Sequence, residues 1–292
     1  MTDRDMQLFV FGCGYSASAF AARLEPDAIL GVTTRSPEKA AGFAARGLKP
    51  FGFDGEAPGA GIDAALARTT HLLVSIAPGA EGDPVLRHHR DAIARGCPAL
   101  RWIGYLSTVG VYGDHGGAWV DEDTPLGPVS ARSRERVEAE RLWTLVAGER
   151  GVPLAILRLS GIYGPGRNAI VNLAEGKARR LVKTDQVFNR IHVADIAGSL
   201  MLLSGAQTGG TFNVTDDEPA PPQDVVEHAA RLLGVQVPPA IDFETAELSP
   251  MARSFYGENK RVSNAKLKRL GYNFEYPTFR EALEALKSEW SS

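Results

Sequence analysis

Short apolar runs alternate with amphipathic or alanine-rich stretches through the first two thirds of the chain, the pattern of repeated strand–helix–strand units around a parallel sheet. Six runs bounded by Gly, Pro, Asp or Ser predict strands over 7–11, 28–34, 49–53, 71–75, 101–107 and 154–160. Between them the spacing predicts helices over 15–24, 37–46, 62–67, 83–95 and 134–147. Asp83 before Pro84 offers an N-cap carboxylate and a first-turn proline, and Gly96 with Pro98 marks the end of that helix. In the 134–147 helix, Ala139, Leu142, Trp143 and Val146 share one face and predict its core side, leaving Arg134, Glu135, Glu138 and Arg141 to water. After Arg158 the elements shorten between Pro-rich joints at 219–222 and 238–239, which predicts a smaller, mixed second lobe.

The chain has 292 residues, 44% hydrophobic and 23% charged, a composition that buries a core in one large or two unequal domains. Two cysteines, Cys13 and Cys97, exclude a disulfide framework and a cysteine zinc ribbon and favour a reducing, cytoplasmic setting. Lys and Arg number 32 against 35 Asp and Glu, so no basic field calls for nucleic acid, and small-molecule chemistry is the default. The start, Met1 to Gln7, carries two acids and lacks the basic-then-apolar layout of a signal peptide, so export is not expected. The most apolar runs, 72–77 and 154–157, fall far short of the ~20 residues of a membrane span. No metal site is expected: His88 and His89 point about 100° apart on a helix, a poor ligand pair, and are read as solvent-facing.

The strongest motif follows the first strand, where Gly12, Gly14 and Ala17 form G-x-G-x-x-A at the mouth of a helix. Gly12 permits a tight turn, Gly14 lets a pyrophosphate approach the backbone, and Ala17 is small enough for close helix packing. Tyr15 and Ser16 complete this phosphate loop, and Ser75 with Ala77, after the fourth strand, is assigned to the same dinucleotide site. Cys13 within the loop reads as a small apolar filler. The end of the second strand reads Thr34, Arg35, Ser36, with none of the acid that would hold the ribose 2′-hydroxyl of NAD. Arg35 and Ser36 suit a 2′-phosphate, so NADP is favoured over NAD. Asp54, past the third strand, is read either as a partner of the adenine amine or as a turn residue before Gly55.

With these features in view, the chain resembles the extended short-chain dehydrogenase/reductase family, also called the NAD-dependent epimerase/dehydratase family. Besides the glycine loop, the resemblance rests on Leu106-Ser107-Thr108-Val109-Gly110-Val111-Tyr112-Gly113, Leu157-Arg158-Leu159-Ser160-Gly161-Ile162-Tyr163-Gly164-Pro165-Gly166, Ile191-His192-Val193-Ala194-Asp195-Ile196 and Phe212-Asn213-Val214, in that order. It implies an α/β fold with a Rossmann-like, doubly wound parallel sheet and a smaller mixed C-terminal substrate lobe. The expected division is a cofactor domain over 1–165, with returning segments near 189–216, and a substrate lobe over most of 166–292.

The resemblance breaks at one point. Aligned on Val137-Glu138-Ala139-Glu140, the family's Tyr-x-x-x-Lys pair becomes Arg132 and Arg136, and the loop's glycine spacing is that of atypical members. A guanidinium of pKa above ~12 cannot serve as the acid or base at a reacting oxygen. Arg136 retains the N–H groups and charge that the family's Lys offers the nicotinamide ribose. By resemblance Thr108, with Ser107 beside it, takes the family's Ser/Thr place at the substrate oxygen; Tyr163 and Tyr112 are the candidate relocated acids, with cleft-wall packing as their alternative, and His192 orders the loop before a helix. Lys177, Arg179, Arg180, Lys183 and Arg190 align with the segment that faces a nucleoside diphosphate in relatives, and Arg253, Lys260 and Arg261 with a loop relatives use for substrate. Relatives also pair through the helices after the fourth and fifth strands, which makes a homodimer an expectation. Two functions follow: an NADP-dependent oxidoreductase or epimerase-like enzyme on a nucleotide-sugar or other small carbonyl or hydroxyl substrate, or a redox-inactive NADP(H) sensor.

Overall fold

A computed structural model describes residues 6–290 of the protein; the acid-bearing lead lies, through residue 5, outside the described residues. In chain order the elements are β1 (Leu8–Phe11), α1 (Tyr15–Ala21), β2 (Ile29–Thr34), α2 (Pro37–Ala45), β3 (Pro50–Gly52), α3 (Ile62–Leu66), β4 (His71–Val74), α4 (Pro84–Gly96), β5 (Trp102–Thr108), β6 (Trp119–Val120), α5 (Ala131–Arg150) and β7 (Leu154–Leu159). They continue with β8 (Gly161–Tyr163), α6 (Ala169–Ala174), β9 (Arg180–Val182), β10 (Arg190–His192), α7 (Val193–Gly205), β11 (Gly210–Val214), α8 (Pro222–Leu233), β12 (Ala240–Asp242), α9 (Pro250–Phe255), β13 (Arg261–Val262), α10 (Ala265–Arg269) and α11 (Phe279–Trp290).

Strands β1 to β5, β7 and β11 form one parallel sheet in the order β11-β7-β5-β4-β1-β2-β3. The order reverses between β1 and β4, the switch point at which doubly wound sheets bind ligands beyond their carboxyl ends. The six expected strands are all present within one or two residues of their predicted limits, but the sheet has seven. β11, Gly-Thr-Phe-Asn-Val, was read only as a motif, because its polar Thr211 and Asn213 break the apolar run that marks a buried strand. Helix α5 runs three residues beyond its predicted limits at both ends.

The chain divides into two compact units. The first runs through Thr108 and adds Ala131–Arg158 and Ile196–Phe212; the second takes Val109–Ser130, Leu159–Asp195 and the residues from Asn213 onward. The expected division had kept 109–130 and 159–165 with the cofactor domain. Backbone pairing explains the regrouping of the first of these, since β6 pairs in parallel with β13, and Asn259 and Lys260 hold the preceding loop.

The core of the first unit packs Phe9, Phe11, Leu72, Val74, Ile103 and Trp143 between the sheet and helices α4 and α5. Asp83 caps α4 as expected, accepting from the N–H groups of Val85 and Leu86 at 2.9 and 3.1 Å, and its second oxygen accepts from Trp143 Nε1 at 2.9 Å. In the second unit Ile170, Ala229, Phe279 and Leu283 join α6, α8 and α11. Among the described residues, no helix is long and apolar enough to cross a membrane.

Candidate functional site

The glycine loop has the geometry its sequence demands. Gly12 sits at φ +81°, and a Cβ there would come within 2.6 Å of Ile76 Cγ1, so no side chain is tolerated. Its N–H donates to Thr33 Oγ1 at 2.7 Å, and the next N–H, of Cys13, to the Thr33 carbonyl at 3.0 Å, which pins the loop to β2. Gly14 differs: a Cβ there would meet nothing nearer than the Gly12 carbonyl oxygen at 4.0 Å, so space lies open beside its backbone. Gly14 is also the N-cap of α1 and has no side chain to satisfy the first-turn N–H groups. Ser16 and Ala17 are buried on the helix, and Tyr15 is exposed. The Cys13 thiol is buried beside Ser18 Oγ, and burial pushes its pKa up, as suits a filler rather than a reactive thiolate.

Beyond the loop, Arg35 is exposed, and no hydrogen bond or ion pair holds it among the described residues. Ser36 caps α2, its hydroxyl oxygen accepting from the Lys39 N–H at 3.2 Å. The cap uses one lone pair and leaves the hydroxyl proton to donate. Asp54 is exposed and closes a turn by accepting from the Glu56 N–H at 2.9 Å, which leaves its second carboxylate oxygen for a ligand. Ser75 is half-buried, its N–H bonded to the Phe11 carbonyl, and Ala77 is exposed. Arg35, the open face of Gly14 and the uncapped α1 terminus together are a donor set that fits a phosphorylated dinucleotide.

At the end of β5 the structure places a buried polar network that sequence reasoning missed. Ser107 Oγ donates to Glu140 Oε1 at 2.5 Å, and Arg158 reaches the same carboxylate through Nε at 3.2 Å and Nη2 at 2.8 Å. All three residues are buried. Ser107, a candidate at the reacting oxygen, is thus turned inward and engaged with Glu140, while Thr108 is half-buried at the last position of the strand. One helical turn before Glu140, Arg136 donates to the Leu106 carbonyl and lies over the Tyr105 ring, 6.0 Å from its centroid. A signal for the network was present, because Glu140 lies three residues before Trp143 on the core side of α5, and Arg158 interrupts the apolar run of β7.

Both tyrosine candidates lie in the second unit. Tyr163 lies against the Ile170–Phe279 cluster, and its hydroxyl is buried without a hydrogen-bond partner among the described residues. Burial, then the charges of Asp216 and Asp195, raise its pKa, so it is held as a phenol. Tyr112 is buried and donates to Asn213 Oδ1 at 2.7 Å. His192 orders the start of α7 as expected, Nδ1 accepting from the Ala194 N–H at 3.3 Å, and burial lowers its pKa to about 4.

The five-residue basic cluster is dispersed rather than assembled. Lys177 pairs with Glu175 and Arg180 with Glu227, Arg179 donates to the Glu247 carbonyl, Lys183 to that of Tyr256, and Arg190 to those of Phe188 and Ala220. Each is drawn to its own carboxylate or carbonyl. Arg253, Lys260 and Arg261 likewise donate to the carbonyls of Ala246, Gly113 and Gly117. In the first unit, His89 contradicts the solvent-facing reading. Its ring is buried between Phe11 and Phe53, with Nδ1 2.7 Å from Asp63 Oδ1, because the pair lies on the side of α4 that covers β1 and β3.

A doubly wound parallel sheet with a glycine loop at the mouth of its first helix defines a nucleotide-binding α/β protein. Residues 92–215 match the NAD dependent epimerase/dehydratase family. A functionally unknown conserved protein from Silicibacter pomeroyi DSS is 47% identical, with 98% of this chain and 100% of that one covered and a TM-score of 0.89. Protein YeeZ of Escherichia coli (strain K12) is 31% identical over 179 residues, and a 3-diazoavenalumate denitrifying reductase of Streptomyces sp is 29% identical over 186. These matches cover 60% and 56% of this chain, and the chain spans 58% of the length of each of these curated relatives. The chain belongs to the NAD dependent epimerase/dehydratase family, as an atypical extended short-chain dehydrogenase/reductase with a Rossmann-like, NAD(P)-binding fold.

Proposed function

We propose that the chain binds NADP(H) in preference to NAD(H) and acts in the cytoplasm as an NADP-dependent oxidoreductase or epimerase-like enzyme on a small carbonyl or hydroxyl compound, nucleotide-sugars included. The observation that carries the cofactor reading is the uncommitted Arg35 guanidinium at the carboxyl end of β2, one strand from the open backbone of Gly14. Gly12, Gly14, Tyr15, Ser16 and Ala17 would hold the pyrophosphate, Arg35 and Ser36 the 2′-phosphate, Asp54 would border the adenine, and Ser75 and Ala77 would line the floor. Arg136 would face the nicotinamide ribose with the guanidinium donors left after its bond to the Leu106 carbonyl. A bound nicotinamide supplies or accepts hydride.

At the reacting oxygen, the Thr108 hydroxyl is the candidate hydrogen-bond donor, and its backbone is held by the engagement of Ser107 with Glu140. Tyr163 is the weaker candidate for moving a proton. A phenol whose pKa is raised by burial and two carboxylates gives up its proton reluctantly. The reductase named among the relatives agrees with hydride chemistry on this scaffold.

A second reading, the redox-inactive NADP(H) sensor, is favoured by one specific observation: Arg132 and Arg136 stand where the family's acid–base pair stands, and Arg136 is bonded to backbone. Absorbance at 340 nm separates the two. Presented with panels of aldehydes, ketones and nucleotide-sugars, an enzyme oxidises NADPH in step with product, and Thr108→Val slows it at least ~100-fold if that hydroxyl stabilises the transition state. An epimerase-like enzyme returns the hydride and leaves the absorbance unchanged, so the nucleotide-sugar panel is also analysed for interconverted product; tight binding with unchanged absorbance and no interconversion would favour the sensor.

A further inference from the structure

His88 and His89, adjacent on α4, do different work. His89 is a core residue, packed between Phe11 and Phe53 with its ring tilted to both. His88 is half-buried and reaches out of the helix, placing Nε2 2.8 Å from the carbonyl oxygen of Gly55. A carbonyl only accepts, so Nε2 carries the proton and donates. The ring also stands edge-on to Phe53, centroids 6.1 Å apart, and the Phe53 N–H donates to the Thr34 carbonyl at 3.1 Å.

The loop so held is tightly placed. Gly55 has φ +91°, and a Cβ there would come within 2.9 Å of Pro84, so the backbone lies directly on the first turn of α4. The turn closed by Asp54 and Glu56 spans this glycine. On the neighbouring strand Thr34 pairs with Gly52, which puts the 54–56 turn beside the strand end that carries Arg35.

We propose that His88 is a positioning residue for the adenosine end of the dinucleotide. It does not touch the ligand; by holding the Gly55 carbonyl it sets the place of Asp54 and of the turn that borders the adenine. The inference rests on the dinucleotide reading above. The ring is half-buried and holds the loop through a single hydrogen bond, so its removal perturbs the turn before it perturbs the fold.

Isothermal titration of the full chain with adenosine 2′,5′-bisphosphate, which carries the adenine, ribose and 2′-phosphate without the nicotinamide, tests it. His88→Ala is expected to weaken binding about five- to tenfold, the value of one such hydrogen bond. His88→Gln, whose amide N–H stands where Nε2 stood, is expected to restore affinity to within about twofold of wild type. Unchanged binding in His88→Ala, or a loss that His88→Gln does not restore, would overturn the inference. Failure of the wild-type chain to bind the bisphosphate would overturn the dinucleotide reading itself, and the wild-type titration alone identifies that outcome.

Discussion

Gly12 and Gly14 obey opposite constraints two residues apart, and the contrast separates folding from binding. A side chain at Gly12 collides with Ile76 and needs a positive φ, whereas one at Gly14 projects into open space. Gly14→Val is therefore expected to keep the wild-type unfolding midpoint yet lose NADPH binding by titration, while Gly12→Val loses both. His192 supplies a pH prediction. Its folded pKa is lowered to about 4 from an unfolded 6.5, so between those values the unfolded chain binds more protons and stability rises with pH. The contribution is complete above 6.5 and is lost as pH falls toward 4, by up to about 3 kcal/mol. The buried acids Asp195 and Asp216, with raised pKa values, slope the other way. Comparison of urea midpoints for wild type and His192→Asn from pH 7 to 4.5 cancels them, and stability is expected to rise with pH more in the wild type, its slope being the more positive of the two. At this scale the glycine turn was legible because Gly12 needs a positive φ that other residues rarely adopt. The environment of Tyr163 was not, because its burial and the charges of Asp216 and Asp195 reach it only through the fold.

Helix α5 shows what periodicity reveals and what it leaves out. The spacing of Ala139, Trp143 and Val146 marked the core face, and all three are buried. The same face carries Glu140, which pattern reading passed over because a carboxylate counts as polar until its partners are known. Glu140→Gln leaves Arg158 buried without a full countercharge, and a loss of about 3 kcal/mol in denaturant unfolding is expected. β11 escaped for a related reason: a short strand with polar residues has no periodic signal of its own. The 109–130 segment offers a further check. It is tied to the chain near 260 through the Asn259 N–H donating to Asp114 and Lys260 Nζ donating to the Gly113 carbonyl. Lys260→Ala is expected to speed amide hydrogen exchange at Gly117 and Ser263 together, since these N–H groups bond to Asn259 and Val120 across the same junction.

For the whole molecule, the doubly wound parallel sheet and the glycine turn at Gly12 were readable because each follows from local pattern and connection rules. The partners of the basic residues were not readable, because a sequence does not say which carboxylates and carbonyls the fold will bring to each of them. The residues assigned to the dinucleotide all fall in the first unit, so binding can be tested before the chemistry is known. The direct measurement is a titration with NADPH and with NADH, followed by nicotinamide fluorescence, on the wild-type chain and on Arg35→Asp. NADPH is expected to bind more tightly than NADH, and Arg35→Asp to weaken NADPH roughly 30-fold, the value of a charge-assisted hydrogen bond to phosphate, while leaving NADH unchanged or improved. Equal affinity for the two cofactors, unaltered by Arg35→Asp, would contradict the assignment of Arg35, and binding of neither would contradict the account as a whole.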